Sequence, residues 1–346
     1  MENSVKQVEF LLRAIYLLVG LLFISIVTII FLYSNISARS IVKELEKENN
    51  IWSSKLLFED FPDNEIGKSI QYGFQLITNT NQTVGPLANN PAMRFAGNNL
   101  TCNNCHLDAG RKIGSGSFVG ITNRYPQFRG RENKTGTLAD RINGCFERSM
   151  NGRVMNSNSK EMRAIIDYME WLSRDVPEEI EKKYKGYVKI ATPSFAADVN
   201  EGRVLYSEKC SHCHQENGLG MKRTGGEFNG YVYPPLGGND SYNDGAGMHR
   251  VITAAEFIKG NMPLGATYNS PQVTDEEAYN IAAYISTFAR PEKRNKHEDF
   301  PNIILKPVST PYGPWEDDFS AEQHKFGPFQ PIVLYYKNKY NIEKMK

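Results

Sequence analysis

Two short stretches decide the fold, TCNNCH at residues 101–106 and KCSHCH at residues 209–214. Each sets two cysteines, two residues apart, directly before a histidine. C-x-x-C-H is the attachment sequence of c-type haem. Its thiols add to the two vinyl groups of one porphyrin, and the next residue is placed to bind iron through its imidazole. A single copy would also suit a redox or zinc motif. Two copies do not, because a four-cysteine zinc site leaves both trailing histidines without a task. Cys102, Cys105 and His106, with Cys210, Cys213 and His214, therefore predict two covalently attached haem c groups.

Helical patterns flank both motifs. Before the first, residues 63–80 put Ile66, Ile70, Phe74 and Ile77 on one face. After it, residues 159–176 do the same with Ile165, Ile166, Met169 and Leu172. The second unit repeats the plan. DVNEGRVLYSEK runs straight into its haem motif, with Gly202 and Tyr206 on one face. TDEEAYNIAAYISTFAR, 274–290, opens on an N-cap Thr with an acidic first turn and is stopped by Pro291. A helix, a CxxCH, a long loop and a final aromatic-bearing helix resemble the class I cytochromes c. The expected fold is mostly α, two such domains in tandem behind an N-terminal transmembrane helix. The boundaries are 1–40 for a membrane anchor, 41–185 and 186–291 for the haem domains, and 292–346 for an irregular C-terminal extension.

The chain's 346 residues suffice for this, with 40% apolar and 23% charged residues, ordinary for a globular protein. The net charge of +1 gives no sign of nucleic-acid binding. It hides an asymmetry, since residues 111–153 hold nine Lys or Arg against three acids. That segment is a candidate anion-binding region.

AIYLLVGLLFISIVTIIFLY, residues 14–33, carries no charge and is long enough to cross a bilayer. The candidate cleavage site after it, ISA at 36–38, has Ile where a small residue is expected, so a retained anchor is predicted. Flanking charge does not orient it. The haem motifs do, because haem c is attached outside the cytoplasm. The expected location is the bacterial inner membrane, with everything beyond about Ser34 in the periplasm.

Each iron needs a sixth ligand or an open site. In the second unit KGNMPLG sets Met262 before Pro263, in the loop ahead of the final helix, where class I cytochromes carry their axial methionine. His212 and His249 are the competitors. The first unit has no such sequence. The matching interval offers Cys145, Met150 and Met155, and spacing favours Cys145, with Met150 as the alternative. Cys145 is the only cysteine outside a haem motif, and Arg141, Arg148 and Arg153 surround it. Its polar neighbours argue against a buried structural thiol. A thiolate on iron stabilises the ferric state and stays within reach of a sulfur substrate.

NGCFERSMNG at 143–152, followed by PPLGGNDSYNDGAGMHRVITAAEFIKGNMPLG at 234–265, resembles the diheme thiosulfate dehydrogenases, a family that includes tetrathionate reductases. The resemblance implies the reaction 2 thiosulfate ⇌ tetrathionate + 2 electrons, with the first haem as active site. It implies iron ligation by His106 with Cys145 and by His214 with Met262. It places Arg131, Arg141 and Ser149 where the family's anion-binding residues are expected. Some members carry lysine beside the methionine, where this chain has Asn261. Thiosulfate and tetrathionate are then the substrates, and a periplasmic cytochrome c or quinol-linked carrier the electron partner. The chemistry agrees, since joining two dianions needs fixed cations, and guanidinium groups bind oxyanions through paired hydrogen bonds. Arg129, Arg131, Arg141 and Arg148 supply them. The alternative is a membrane-anchored diheme electron carrier without catalysis, which predicts methionine ligation at both haems.

Overall fold

The computed structural model describes residue 13 and residues 16–29, 61–224 and 228–344. The chain divides into two units, Met1–Phe58 and Glu59–Lys346. Of the first unit, residues 16–29 are helical. The rest of the expected anchor, and the polar spacer after it, lie outside the described residues. Among the described residues no helix is long and apolar enough to cross a membrane, so the expected transmembrane helix is not shown.

The second unit holds both haem motifs. Its main helices are α1 (Glu65–Thr78), α2 (Leu138–Arg148), α3 (Lys160–Ser173), α4 (Val199–Lys209), α5 (Val251–Asn261), α6 (Asp275–Ser286) and α7 (Gln330–Tyr340). Two small antiparallel pairs accompany them, β1 (Gln127–Arg129) with β2 (Lys134–Gly136), and β3 (Met221–Lys222) with β4 (Tyr231–Tyr233).

The same crossing builds each half. In the first, α1 buries Ile70, Leu76 and Ile77 against Ile165, Tyr168 and Leu172 of α3. The approach is close because Gly73 has no side chain, and a Cβ there would strike the carbonyl of Ala164. In the second, Gly202 of α4 lies against the carbonyl of Asn280 in α6, and Tyr206 is fully buried beside it. The predicted cap at Thr274 holds, and Ser159 caps α3 as well. Ser159 accepts from Met162 N, and Thr274 forms a capping box with Glu277. Ile66, expected on the buried face of α1, is 48% exposed.

The tail is not irregular. It carries the short helix Ala321–Phe326 and α7, whose Ile332 and Tyr336 complete the second core. No 3.6-residue stripe marks α7 in the sequence, because only two of its residues are buried.

Candidate active site

Helix α2 carries the cysteine outside the haem motifs. Thr137 and Asp140 start it with a capping box: the Thr137 hydroxyl accepts from Asp140 N at 3.2 Å, and the Asp140 carboxylate accepts from Thr137 N at 2.8 Å. Residues four apart then share a face. Arg141 and Cys145 do, and Arg141 Nη1 donates to Cys145 Sγ at 2.7 Å. Burial by itself would raise the Cys145 thiol. The Arg141 guanidinium, His106 and Arg148 outweigh it and hold the group at about 6, so the thiolate is the resting form at neutral pH.

Cys145 lines a cleft of about 690 Å³ together with Cys102, Cys105, His106, Ser149 and Met150. Apolar residues of α1, α2 and α3, among them Ile77, Phe146 and Ile165, form its walls. Tyr242 and Met248 close it from the far side of the second haem motif.

The residues present fit a haem. Both attachment thiols open into one apolar cleft, and burial pushes Cys102 up to about 11 and Cys105 to about 12. His106 Nδ1 lies 2.6 Å from the carbonyl of Gly116. A carbonyl only accepts, so Nδ1 carries the proton and Nε2 keeps its lone pair for a metal. His214 is prepared in the same way, with Nδ1 2.8 Å from Pro234 O, and burial keeps its imidazole neutral. Met262 caps the end of α5 and packs with Cys210 against the second core.

Three of the four competing ligands are occupied or turned away. Met155 is core, and its backbone pairs with the Asn143 side chain at 2.8 and 2.9 Å. His212 is exposed. Both ring nitrogens of His249 face backbone carbonyls, and burial, with Arg290 nearby, pushes it down to about 4. Met150, the fourth, lines the cleft beside Cys145.

The predicted cations separate into two layers. Arg141 touches the cysteine, and Ser149 lines the cleft. Arg148 is 6% exposed and reaches Glu132 at 3.4 Å; burial, with Arg131 and Arg141 close by, drops it to about 10. Arg131 does not line the cleft. Its Nη1 donates to Asp299 Oδ2 at 2.6 Å, to Gly245 O at 3.1 Å and to Tyr312 Oη at 3.1 Å. Arg129 pairs with Glu132 at 2.9 Å.

Sequence reasoning missed the part played by residues 240–250. This loop returns to the first half, where Asn243 Nδ2 donates to Glu147 O at 2.8 Å and Asn243 N to Arg148 O at 3.2 Å. The end of α2, one turn beyond Cys145, is thus tied down from the second half. The loop's run of Asn, Asp and Gly was the available signal, and it does not say where the loop goes.

The first haem region, residues 94–177, matches the family described as "SoxA/TsdA, cytochrome c domain", and residues 199–289 match "Cytochrome c". A thiosulfate dehydrogenase of Psychrobacter arcticus is 40% identical over 241 residues, 70% of this chain and 69% of that one. One from Stutzerimonas stutzeri is 37% identical over 234 residues, 68% of this chain and 71% of that one. The solved thiosulfate dehydrogenase (TsdBA) of Marichromatium purpuratum superposes with a TM-score of 0.61 at 34% identity. The likeness covers 68% of this chain and only 49% of that larger one. On these matches and on the two CxxCH sites, the chain belongs to the thiosulfate dehydrogenase family, oxidoreductases of sulfur compounds, and carries two covalently bound haem c groups.

Proposed function

We propose that this protein interconverts thiosulfate and tetrathionate at Cys145. The observation that carries the reading is the Arg141–Cys145 contact inside the cleft that also holds Cys102, Cys105 and His106. The first iron would be held by His106 and Cys145, the second by His214 and Met262. The haems supply the electron sink and the exit route. Arg141 keeps Cys145 as a thiolate and, with Ser149 and the cations behind it, offsets the charge of an incoming dianion. The outer sulfur of thiosulfate joins the cysteine sulfur as two electrons leave, giving Cys–S–S–SO₃⁻. A second thiosulfate attacks that disulfide, releasing tetrathionate and restoring the thiolate.

The first haem domain, 41–185, then does the chemistry, and the second, 186–291, passes electrons to a periplasmic cytochrome c or a quinol-linked carrier. Haem c attachment supports a periplasmic location, and the uncharged stretch 14–33 supports attachment to the inner membrane. Protein-film voltammetry of the diheme protein tests the reading. A catalytic current with thiosulfate or tetrathionate is expected, and its larger direction gives the bias. Two reversible haem signals with no current from either would leave an electron carrier.

A further inference from the structure

The tail beyond residue 291 lies outside both family matches, yet it reaches the cation cluster. Asp299 is its contribution. One oxygen accepts from Arg131 Nη1 at 2.6 Å and from Tyr312 Oη at 2.8 Å. The other is 3.3 Å from Lys293 Nζ. The side chains of Arg131 and Asp299 are 11% and 7% exposed, so the pair is well screened from water. The backbone locks the same contact, with Phe300 N donating to Arg131 O at 2.8 Å. The Phe300 ring lies under the guanidinium at 4.7 Å.

We propose that the C-terminal tail is part of the anion site, with Asp299 and Tyr312 as positioning residues that fix Arg131. This rests on the reading that Arg141, with Ser149 and the cations behind it, offsets the charge of the sulfur oxyanion. Arg141 and Arg148 act on the Cys145 thiolate, and Arg131 and Arg141 both repel Arg148. Arg131 lowers Arg148 electrostatically, and Asp299 opposes it. A carboxylate anchored behind Arg131 relieves that repulsion without reaching the cleft. Only Nη1 of Arg131 is used by these partners, so one edge of the fork is held. The charges nearest Cys145 keep a fixed geometry and a surplus of positive charge, which an arriving dianion requires. A charge-assisted hydrogen bond of this kind is worth enough to change an affinity about tenfold.

The test is steady-state thiosulfate oxidation by the haem-loaded protein and its Asp299→Asn, Tyr312→Phe and Arg131→Ala variants. Haem content and visible spectra are recorded alongside. Asp299→Asn should raise KM about tenfold with kcat within about twofold, because orientation is lost and the chemistry is not. Tyr312→Phe should raise KM by a smaller factor. A merely structural role would lower haem loading or kcat and leave KM in place. If Arg131→Ala raises KM while Asp299→Asn leaves it unchanged, the tail has no such role and the anion-site reading survives. If Arg131→Ala leaves KM unchanged, the anion-site reading fails for Arg131 and the proposal falls with it. Should Asp299→Asn fail to load haem, Tyr312→Phe decides. An unchanged KM in that fully loaded variant overturns the proposal.

Discussion

Arg141 and Cys145 stand four residues apart on one helix, and the guanidinium nitrogen lies 2.7 Å from the cysteine sulfur. One side chain thus sets the charge of the thiol and waits beside the place where an oxyanion would bind. Burial alone would raise that thiol, and Arg141 is the largest of the charges that oppose it.

Replacing Cys145 by Ala should therefore abolish turnover, by about a thousandfold or more, while leaving both haems attached. Haem-stained gels and visible spectra report attachment, and thiosulfate oxidation reports the loss. Near-normal turnover would remove the cysteine from the chemistry.

Arg141→Lys keeps the charge and loses the planar fork. Its kcat/KM for thiosulfate should fall about tenfold or more, because lysine cannot present two parallel donors to a sulfonate. An unchanged kcat/KM would mean that Arg141 serves only the thiolate.

Met262→Ala should lower the reduction potential of one haem and leave the other in place, since a thioether ligand raises the potential. Redox titration followed by visible spectroscopy resolves the two. A shift in both, or in neither, would contradict Met262 as a ligand of the second iron.

At Gly73 and Gly202 the two helix crossings leave no room for a Cβ. Alanine at either should cost about 2 kcal/mol and lower the melting temperature by several degrees. Gly73→Ala should loosen the first haem's environment first, and Gly202→Ala the second's. Thermal melts read at the haem bands separate the two.

Lys306 is 1% exposed, with its ammonium bonded to Pro314 O at 2.9 Å and set among the rings of Phe300, Tyr312 and Trp315. Burial pushes it down to about 8. An unfolded lysine keeps its proton to about pH 10.4. Between pH 8 and 10 the unfolded chain therefore binds more protons, so stability from this group rises with pH. Lys306→Met should be relatively most favourable at pH 7, and its advantage over the parent should shrink by an amount on the order of 2 kcal/mol by pH 10. Denaturant melts at the two pH values check it. A difference independent of pH would show that the lysine is not strained by its burial.

What the sequence disclosed was local chemistry. CxxCH names its cofactor, and Met262 before Pro263 occupies a recognisable loop. Cys145 stood out because four cysteines were already explained. What it hid was distance along the chain. Asp299 meets Arg131, and Asn243 meets the end of α2, across long stretches that no period or motif spans. Arg131 was expected at the substrate, and the structure sets it one layer back because a tail carboxylate holds it. The helix over 330–340 was invisible for a related reason, since its buried face is two residues wide.

Tyr242 and Met248 close the cleft around Cys145, and both follow the second haem motif in the chain. Cys102 and Cys105 precede these two by well over a hundred residues. The wall of this cleft is thus complete only once the segment holding Tyr242 and Met248 is in place. The chamber around Cys145 is therefore built from both halves of one chain, and neither half encloses it alone.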